Sequence, residues 1–407
     1  MMLSRQRVAL AKASYGANNS KVAEALCFLA TCMEASRFVN ERERVLFQAE
    51  KILDMSNDFS SPARGELLRN LAKHYKSTDQ QKALDYANQA VAFYRKGRPS
   101  VKLAQALYDQ AVSYSLFGEY AKGEVLAAES VSIARNLGNK GAAVSVESEE
   151  LLADINIRLL HYDSAKENFE LAFKGARDLN GVDHVDTMET EVGLGDFYRR
   201  ISQNSVALSH LKHSLDTCIR LRGPDDSFHL PEVLLFYGFA LKADGRFEAA
   251  LAAISQAVEN RRKNSPGTRE LGQAIWSQAS VLADLGEYEK AKRCLDEAAD
   301  LSKKVGFKLQ SEYILARLKV AFDLKQADKA SQIIESSYGP LPDRAPLSLD
   351  LLANLTARAQ LALSRNDPAD ALVFATRLLA LVAESPNRNY LRLWEERATL
   401  AEGQAYL

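Results

Sequence analysis

The chain has 407 residues and no linker rich in proline, glycine or serine, which favours a repeated architecture over one ordinary globular core. Its 52 lysine and arginine residues nearly balance its 53 aspartate and glutamate residues, so the broad phosphate contacts of nucleic-acid binding are not expected. The longest apolar segment, residues 233–241, is too short to span a membrane.

The cysteines and the N-terminal residues bear on the compartment. Four cysteines are scattered over the chain and form no paired framework, which is typical of a reducing compartment. Arg5 and Arg7 precede an apolar segment, residues 8–11, that is too short for a signal peptide. We therefore expect a cytoplasmic protein.

The clearest internal repeat joins two segments, 237–258 and 278–299, that share one pattern 41 residues apart. In each of them a glycine, Gly245 or Gly286, lies two residues before an aromatic residue, and two alanines follow. Such self-similarity indicates a repeat protein. Small residues let the two helices of a hairpin cross closely, and a glycine between them accepts the left-handed conformation that ends the first helix.

The same pattern extends over most of the chain. A residue near the start of each second helix, usually small, recurs every 39 to 43 residues: Arg42, Ala83, Gly123, Ala165, Ala207, Ala250, Ala291, Ala330 and Ala371. In chain order we predict an unpaired helix at 6–14, nine hairpins and a terminal helix at 389–407. The hairpins are predicted at residues 21–56, 62–96, 100–138, 143–180, 184–222, 229–264, 269–305, 309–338 and 347–384.

These hairpins predict an all-α fold, a right-handed α-solenoid that forms a single superhelix over residues 1–407, with unpaired helices at its ends. No strand is expected, because no alternation of period two persists. The terminal helix, with Arg392, Glu395, Glu396 and Arg397, is a candidate polar cap. The first helix looks like the second half of a missing unit, which suggests that the chain is a segment, or a separate array, of something longer.

The pattern of glycine, aromatic residue and two alanines resembles the tetratricopeptide repeat, whose usual period is 34 residues. The period of about 41 is similar to that of the longer repeats of kinesin light chains and related bacterial proteins. Two loops resemble the Gly-Pro-Asp-His linker of that group: residues 181–184, which Thr187 follows, and residues 221–226. The resemblance implies that a protein or peptide binds on a concave face lined mainly by the first helices.

One departure from this family concerns the asparagines with which some members hold an extended peptide. The corresponding positions here are Phe28, Arg69, Asp109, Leu151, Gly193, Phe236, Ser277, Ala316 and Ala357. Since none is asparagine, a general clamp on a peptide backbone is not expected, and neither is the carboxylate clamp of some short arrays.

Candidate binding residues follow from the same register. Arginine makes paired contacts to carboxylates and aromatic residues anchor apolar side chains, so a groove that combines them suits a protein or peptide ligand. The inward-facing candidates are Tyr108, Arg158, Arg199, Arg200, Phe239, Lys242, Trp276, Lys319 and Phe322. The alternative is that Arg158 and Arg199 pair with Glu150 or Asp196, and that Trp276 packs between repeats.

Other motifs favour structural interpretations. His210, His213 and Cys218 lack the spacing of a zinc site. The segment 193–195 begins like a dinucleotide loop but lies within a predicted helix, so Gly195 is better explained as a close helix contact. No acid, base and nucleophile are grouped, so we expect no catalytic residues, no metal and no cofactor.

Three functions are therefore considered. The first is a non-enzymatic scaffold, adaptor or sensor that binds a protein or peptide, without nucleic-acid or membrane partners. The second is the regulatory or sensor segment of a bacterial Ser/Thr kinase or transcription regulator, which binds a peptide or small ligand. The third is self-association through exposed terminal helices.

Overall fold

The computed structural model describes residues 2–33, 39–56, 60–76, 79–306, 309, 311–342, 347–385 and 387–406. The chain divides into two compact units, Met1–Asn156 and Ile157–Leu407. Throughout the described ranges the regular structure is helical, which confirms the prediction of an all-α solenoid of repeated hairpins. The single superhelix over 1–407 stays a prediction, and its last residue lies outside the described ranges.

The first unit contains helices α1 to α7 and most of α8, which ends two residues into the second unit. Their bounds are α1 Met2–Tyr15, α2 Ser20–Thr31, α3 Val39–Met55, α4 Pro62–Tyr75, α5 Gln80–Tyr94, α6 Val101–Leu116, α7 Tyr120–Asn136 and α8 Ala142–Arg158.

The second unit contains the remaining helices. Their bounds are α9 Tyr162–Asn180, α10 Val185–Arg200, α11 Asn204–Arg222, α12 Leu230–Ala243, α13 Phe247–Asn264, α14 Arg269–Asp284, α15 Tyr288–Val305, α16 Ser311–Asp323, α17 Ala327–Tyr338, α18 Leu349–Ser364, α19 Pro368–Ala383 and α20 Arg392–Tyr406. Caps and prolines mark the starts of several of these helices. Thr268 and Ser348 cap helices with their hydroxyls, and Pro231 and Pro368 lie in first turns.

Within each unit the helices pack in sequential pairs, and the first helix of a hairpin also contacts the first helix of the next. In the second unit these first helices are α10, α12, α14, α16 and α18, and we call the surface they share the first-helix face. All nine anchor positions are buried, which is why most of them are alanine or glycine.

The turn between the two helices of a hairpin uses one left-handed residue. Gly245 and Gly286, predicted from the sequence, have φ of 79° and 76°. The same turn position holds non-glycine residues with positive φ in other hairpins: Leu160, Ser202, Lys325 and Asn366. A side chain there costs about 1 kcal/mol, which packing of the hairpin outweighs.

Glycines inside first helices mark close crossings, as expected for Gly195. A Cβ atom on Gly195 would lie 2.7 Å from Cγ of Leu211, and one on Gly238 would lie 2.5 Å from Cγ1 of Ile254. Ile254 is fully buried and cannot move aside. The glycine therefore sets the distance between the helices of the hairpin.

We expect Gly238→Ala to lower the free energy of unfolding by about 2 kcal/mol, because the added methyl group overpacks this crossing. Gly403→Ala is the control, since nothing lies within 4 Å of its added Cβ. That variant should gain about 0.5–1 kcal/mol from helix propensity. Urea unfolding of both variants measures the difference, and equal effects would contradict the packing argument.

Candidate partner-binding face

A band of charged side chains crosses the first-helix face of the second unit. It consists of Arg199 and Arg200 on α10, Lys242 on α12, Asp284 on α14, Lys319 on α16 and Arg397 on α20, together with Asp196, and we call it the basic band.

At one end of the band a single carboxylate holds two arginines. Asp196 is buried, and its two oxygens accept from Nε of Arg199 and Nε of Arg200, each at 2.7 Å. The pairing of Arg199 with Asp196 was one of the alternatives from the sequence. Although burial opposes ionisation, the two guanidinium groups lower the pKa of Asp196 to about 2.

Arg199 also reaches the next first helix. Its guanidinium lies over the ring of Phe239 on α12, 5.7 Å from the ring centroid, a cation–π contact. Phe239 in turn packs edge-on against Phe236, with 5.9 Å between centroids. Because Phe239 and Lys242 are three residues apart on α12, they share one face of that helix.

In the middle of the band two lysines from different helices meet one carboxylate. Lys319 Nζ lies 2.8 Å from Oδ1 of Asp284, and Lys242 Nζ lies 3.0 Å from Oδ2. Lys242 also donates to the hydroxyl of Ser280. Burial lowers the pKa of Lys242, and Asp284 offsets part of that effect. Asp284 thus joins α12, α14 and α16.

Arg397 brings the last helix to the same place. Its charge acts on Lys242, and Asp284 is its favourable partner, while burial lowers the pKa of the guanidinium. The guanidinium also lies over the ring of Trp394, 5.0 Å from the centroid. Helix α20, which carries Arg397, packs on α18 and α19.

A second contact joins the C-terminal segment to the start of the second unit. The ring of Tyr390 stacks on Tyr162 with 5.1 Å between centroids, and its hydroxyl donates to Asp163. Burial raises the pKa of Tyr162, and the charges of Arg200 and Arg158 oppose that rise. The segment that carries α20 is therefore joined to residues 227 positions earlier in the sequence.

Eight of the nine predicted candidates fall into three groups. Arg199, Arg200, Lys242 and Lys319 belong to the basic band, with Phe239 beneath Arg199 and half-buried Phe322 one turn from Lys319. Tyr108 is half-buried in the first unit, where burial raises its pKa. Arg158 is exposed at the end of α8.

Trp276 lies in the core instead of on a surface. It is 2% exposed and packs edge-on against Tyr313, with 6.2 Å between centroids. This matches the packing alternative given for it. Asp284 and Tyr390 were not predicted from the sequence, and Arg397 was predicted only as part of a terminal cap. Asp284 had a signal in the 41-residue register, since it lies seven residues before an anchor as Arg200 does.

The histidines and cysteines take structural positions. His210 and His213 each place Nδ1 against buried Glu191, at 3.1 and 2.6 Å. All four cysteines are free. Among the residues that the structure describes, no group of three histidine, cysteine or acidic side chains could hold a metal ion. No helix in the described ranges is both long enough and apolar enough to cross a membrane.

Solved structures resemble this chain over most of its length. The complex of a Rap protein with Competence and Sporulation Factor matches at 12% identity and a TM-score of 0.55, covering 95% of this chain and 100% of that one. The apo form of the quorum sensor NprR from B. thuringiensis matches at 14% identity and a TM-score of 0.56, covering 88% and 97%. A tetratricopeptide repeat protein from Parabacteroides merdae matches at 12% identity and a TM-score of 0.44, covering 75% and 99%.

The chain has a tetratricopeptide-repeat fold. The sequential helices of the described residues, together with the two solved structures whose TM-scores exceed 0.5, confirm the predicted resemblance in fold. At these identities the likeness concerns the fold alone. No protein-family model matches the chain, and no curated protein sequence matches it.

Proposed function

We propose that the chain is a non-enzymatic interaction module of the cytoplasm that binds a protein or peptide on the first-helix face of its second unit. The basic band carries this proposal. Charged and aromatic side chains from four first helices and from α20 lie along one surface, although the chain as a whole has a net charge of −1. Such combinations of arginine, lysine and aromatic side chains suit the recognition of peptides.

A sensor role is the second candidate, in which the bound peptide changes the state of an attached effector. The resemblance to NprR, a quorum sensor that has also been solved in complex with its cognate peptide NprX, favours it. In this chain a ligand bound at the band would act on the C-terminal segment through the charge of Arg397.

Site-specific photo-cross-linking tests the proposed face. We expect a photoreactive phenylalanine analogue at Phe239 or Phe322 to capture a partner in source cells, because both side chains lie beside the band's lysines. The analogue at Glu248, exposed on the second helix α13, is the control. Capture from Glu248 alone would contradict the proposal, and so would capture from Glu248 as strong as that from Phe239 and Phe322.

A further inference from the structure

The centre of the basic band has more positive than negative charge around one point. Lys242 on α12 and Lys319 on α16 pair with the carboxylate of Asp284, and the charge of Asp284 also acts on Arg397 of α20. The side chain of Asp284 is only 15% exposed, and that of Lys242 is 31% exposed. Two lysines therefore pair with one internal carboxylate in a surface partly removed from water, and a third cation is near enough for its charge to interact with that carboxylate.

Partly buried cations are stabilised when an anion approaches them, because protein and ligand together replace the lost hydration. Asp284 satisfies part of this need, and burial still lowers the pKa of both Lys242 and Arg397. A second negative group at this point would neutralise charge that Asp284 leaves uncompensated.

We infer that Lys242, Lys319 and Arg397 form a docking site for one anionic side chain of the partner, a carboxylate or a phosphate, beside the carboxylate of Asp284. This rests on the proposed function and names the chemistry that the face recognises. The internal carboxylate competes with the ligand for the same three cations, so its removal strengthens binding.

The neighbours of the lysines indicate a peptide as the carrier of this anion. Phe239 lies three residues before Lys242 on α12, and Phe322 lies three residues after Lys319 on α16, so each ring is about one helical turn from its lysine. The two lysines thus lie between two aromatic rings. A peptide with an acidic residue between apolar residues matches this arrangement, because its carboxylate would meet the lysines and its apolar side chains would meet the rings. The preferred ligand is therefore a segment with an apolar–acidic–apolar pattern.

Arg397 makes the site depend on the C-terminal helix. Lys242 and Lys319 lie on first helices, whereas Arg397 lies on α20, which Tyr390 and Tyr162 hold in place through their stacked rings. An anion bound among the three cations adds a further link between α20 and the first-helix face. We expect ligand binding to slow amide hydrogen exchange in residues 392–406.

Selection from a random octapeptide library on the full chain supplies the probe. We expect enriched peptides to carry Asp or Glu between apolar residues, and a synthetic copy with phosphoserine in that place distinguishes phosphate from carboxylate. Fluorescence anisotropy of the labelled peptide then measures affinity. The Lys242→Gln, Lys319→Gln double variant should bind about tenfold more weakly.

The direction of the change in affinity for Asp284→Asn is the decisive measurement. We expect this variant to bind the acidic peptide about fivefold more tightly. The matched controls lie on α15, where Asp300 and Lys303 are each 81% exposed. Asp300→Asn makes the same change in net charge, and Lys303→Gln together with Lys290→Gln matches the lysine variant. Both controls should leave affinity unchanged at 0.15 M salt, where surface charges are screened.

Three results would overturn the site: no acidic residue among the enriched peptides, weaker binding by Asp284→Asn, or equal effects of the control variants. A misfolded variant cannot mimic the expected gain in affinity. If photo-cross-linking at Phe239 still captures a partner while these results fail, the binding face stands and the anion site falls. If neither succeeds, the proposed function falls as well.

Discussion

Replacement of Arg69 by methionine is expected to lower the free energy of unfolding by about 3 kcal/mol, because it leaves the carboxylate of Asp109 buried without its main partner. Nε of Arg69 donates to Oδ2 of Asp109 at 2.7 Å, and its Nη1 donates to Gln105 at 2.8 Å. Arg69 and Asp109 are 8% and 6% exposed. Methionine fills a similar volume but donates no hydrogen bond.

The loss of unfolding free energy in Arg69→Met should depend on pH. Burial raises the pKa of Asp109, with Arg69 and Lys73 acting in the opposite direction. A carboxyl group whose folded pKa exceeds its unfolded value contributes stability at low pH, and this is lost as pH rises through the folded pKa. Without Arg69 the folded pKa rises further, so Arg69→Met should be less destabilising at pH 5 than at pH 8.

Two further variants test the explanation by urea unfolding. Arg95→Met removes an exposed ion pair with Glu129 and should cost less than about 0.5 kcal/mol. Arg69→Met combined with Asp109→Leu removes both buried charges and should recover most of the stability. A double variant as unstable as Arg69→Met would show that packing, and not the unpaired carboxylate, causes the loss.

This pair also explains one departure from the family pattern. Arg69 and Asp109 occupy corresponding positions in consecutive repeats, where some peptide-binding arrays carry asparagine. The two side chains bond to each other and are buried, so neither is placed to hold a peptide backbone. The absence of the asparagine clamp was predicted from the sequence. The pairing of Arg69 with Asp109 was not, because it depends on which of several nearby charges meet after folding.

The fold could be predicted because its signals are local and repeated. Gly245 and Gly286 mark turns, Pro231 and Pro368 mark first turns, and the buried anchors recur with a steady period. Each of these residues meets a requirement of its own repeat. The pattern can therefore be recognised even though several repeats lack part of it. Leu160 at a left-handed turn position shows the limit, since the register, and not the residue type, identifies it.

The candidate site was only partly predictable. The register gave the face on which Lys242 and Lys319 lie, because one helical period determines it. It did not give their shared partner Asp284, nor the approach of Arg397 from a helix far along the chain. Trp276 was predicted to face the groove but is buried, since an aromatic residue on a first helix can turn into the core.

Removal of the charge on Asp196 is expected to lower the free energy of unfolding by about 2 kcal/mol at pH 7. Although burial acts in the opposite direction, Arg199 and Arg200 lower the pKa of Asp196 from 3.8 to about 2. A pKa difference of one between the folded and unfolded chain corresponds to about 1.4 kcal/mol. A lowered carboxyl pKa contributes stability above the unfolded pKa that is lost as pH falls through the folded one. The cost of Asp196→Asn should therefore fall to about half at pH 3.

Urea unfolding at pH 7 and pH 3 checks this, with Asp300→Asn as the exposed control that should change little at either pH. An effect of Asp196→Asn independent of pH would contradict the electrostatic explanation and point to shape alone. The same substitution removes the carboxylate charge that Arg199 and Arg200 share, and Arg199 lies over the ring of Phe239 on the first-helix face. We expect an acidic peptide bound on this face to gain affinity from Asp196→Asn, as we expect from Asp284→Asn, because in each variant an internal carboxylate ceases to compete for the cations beside it.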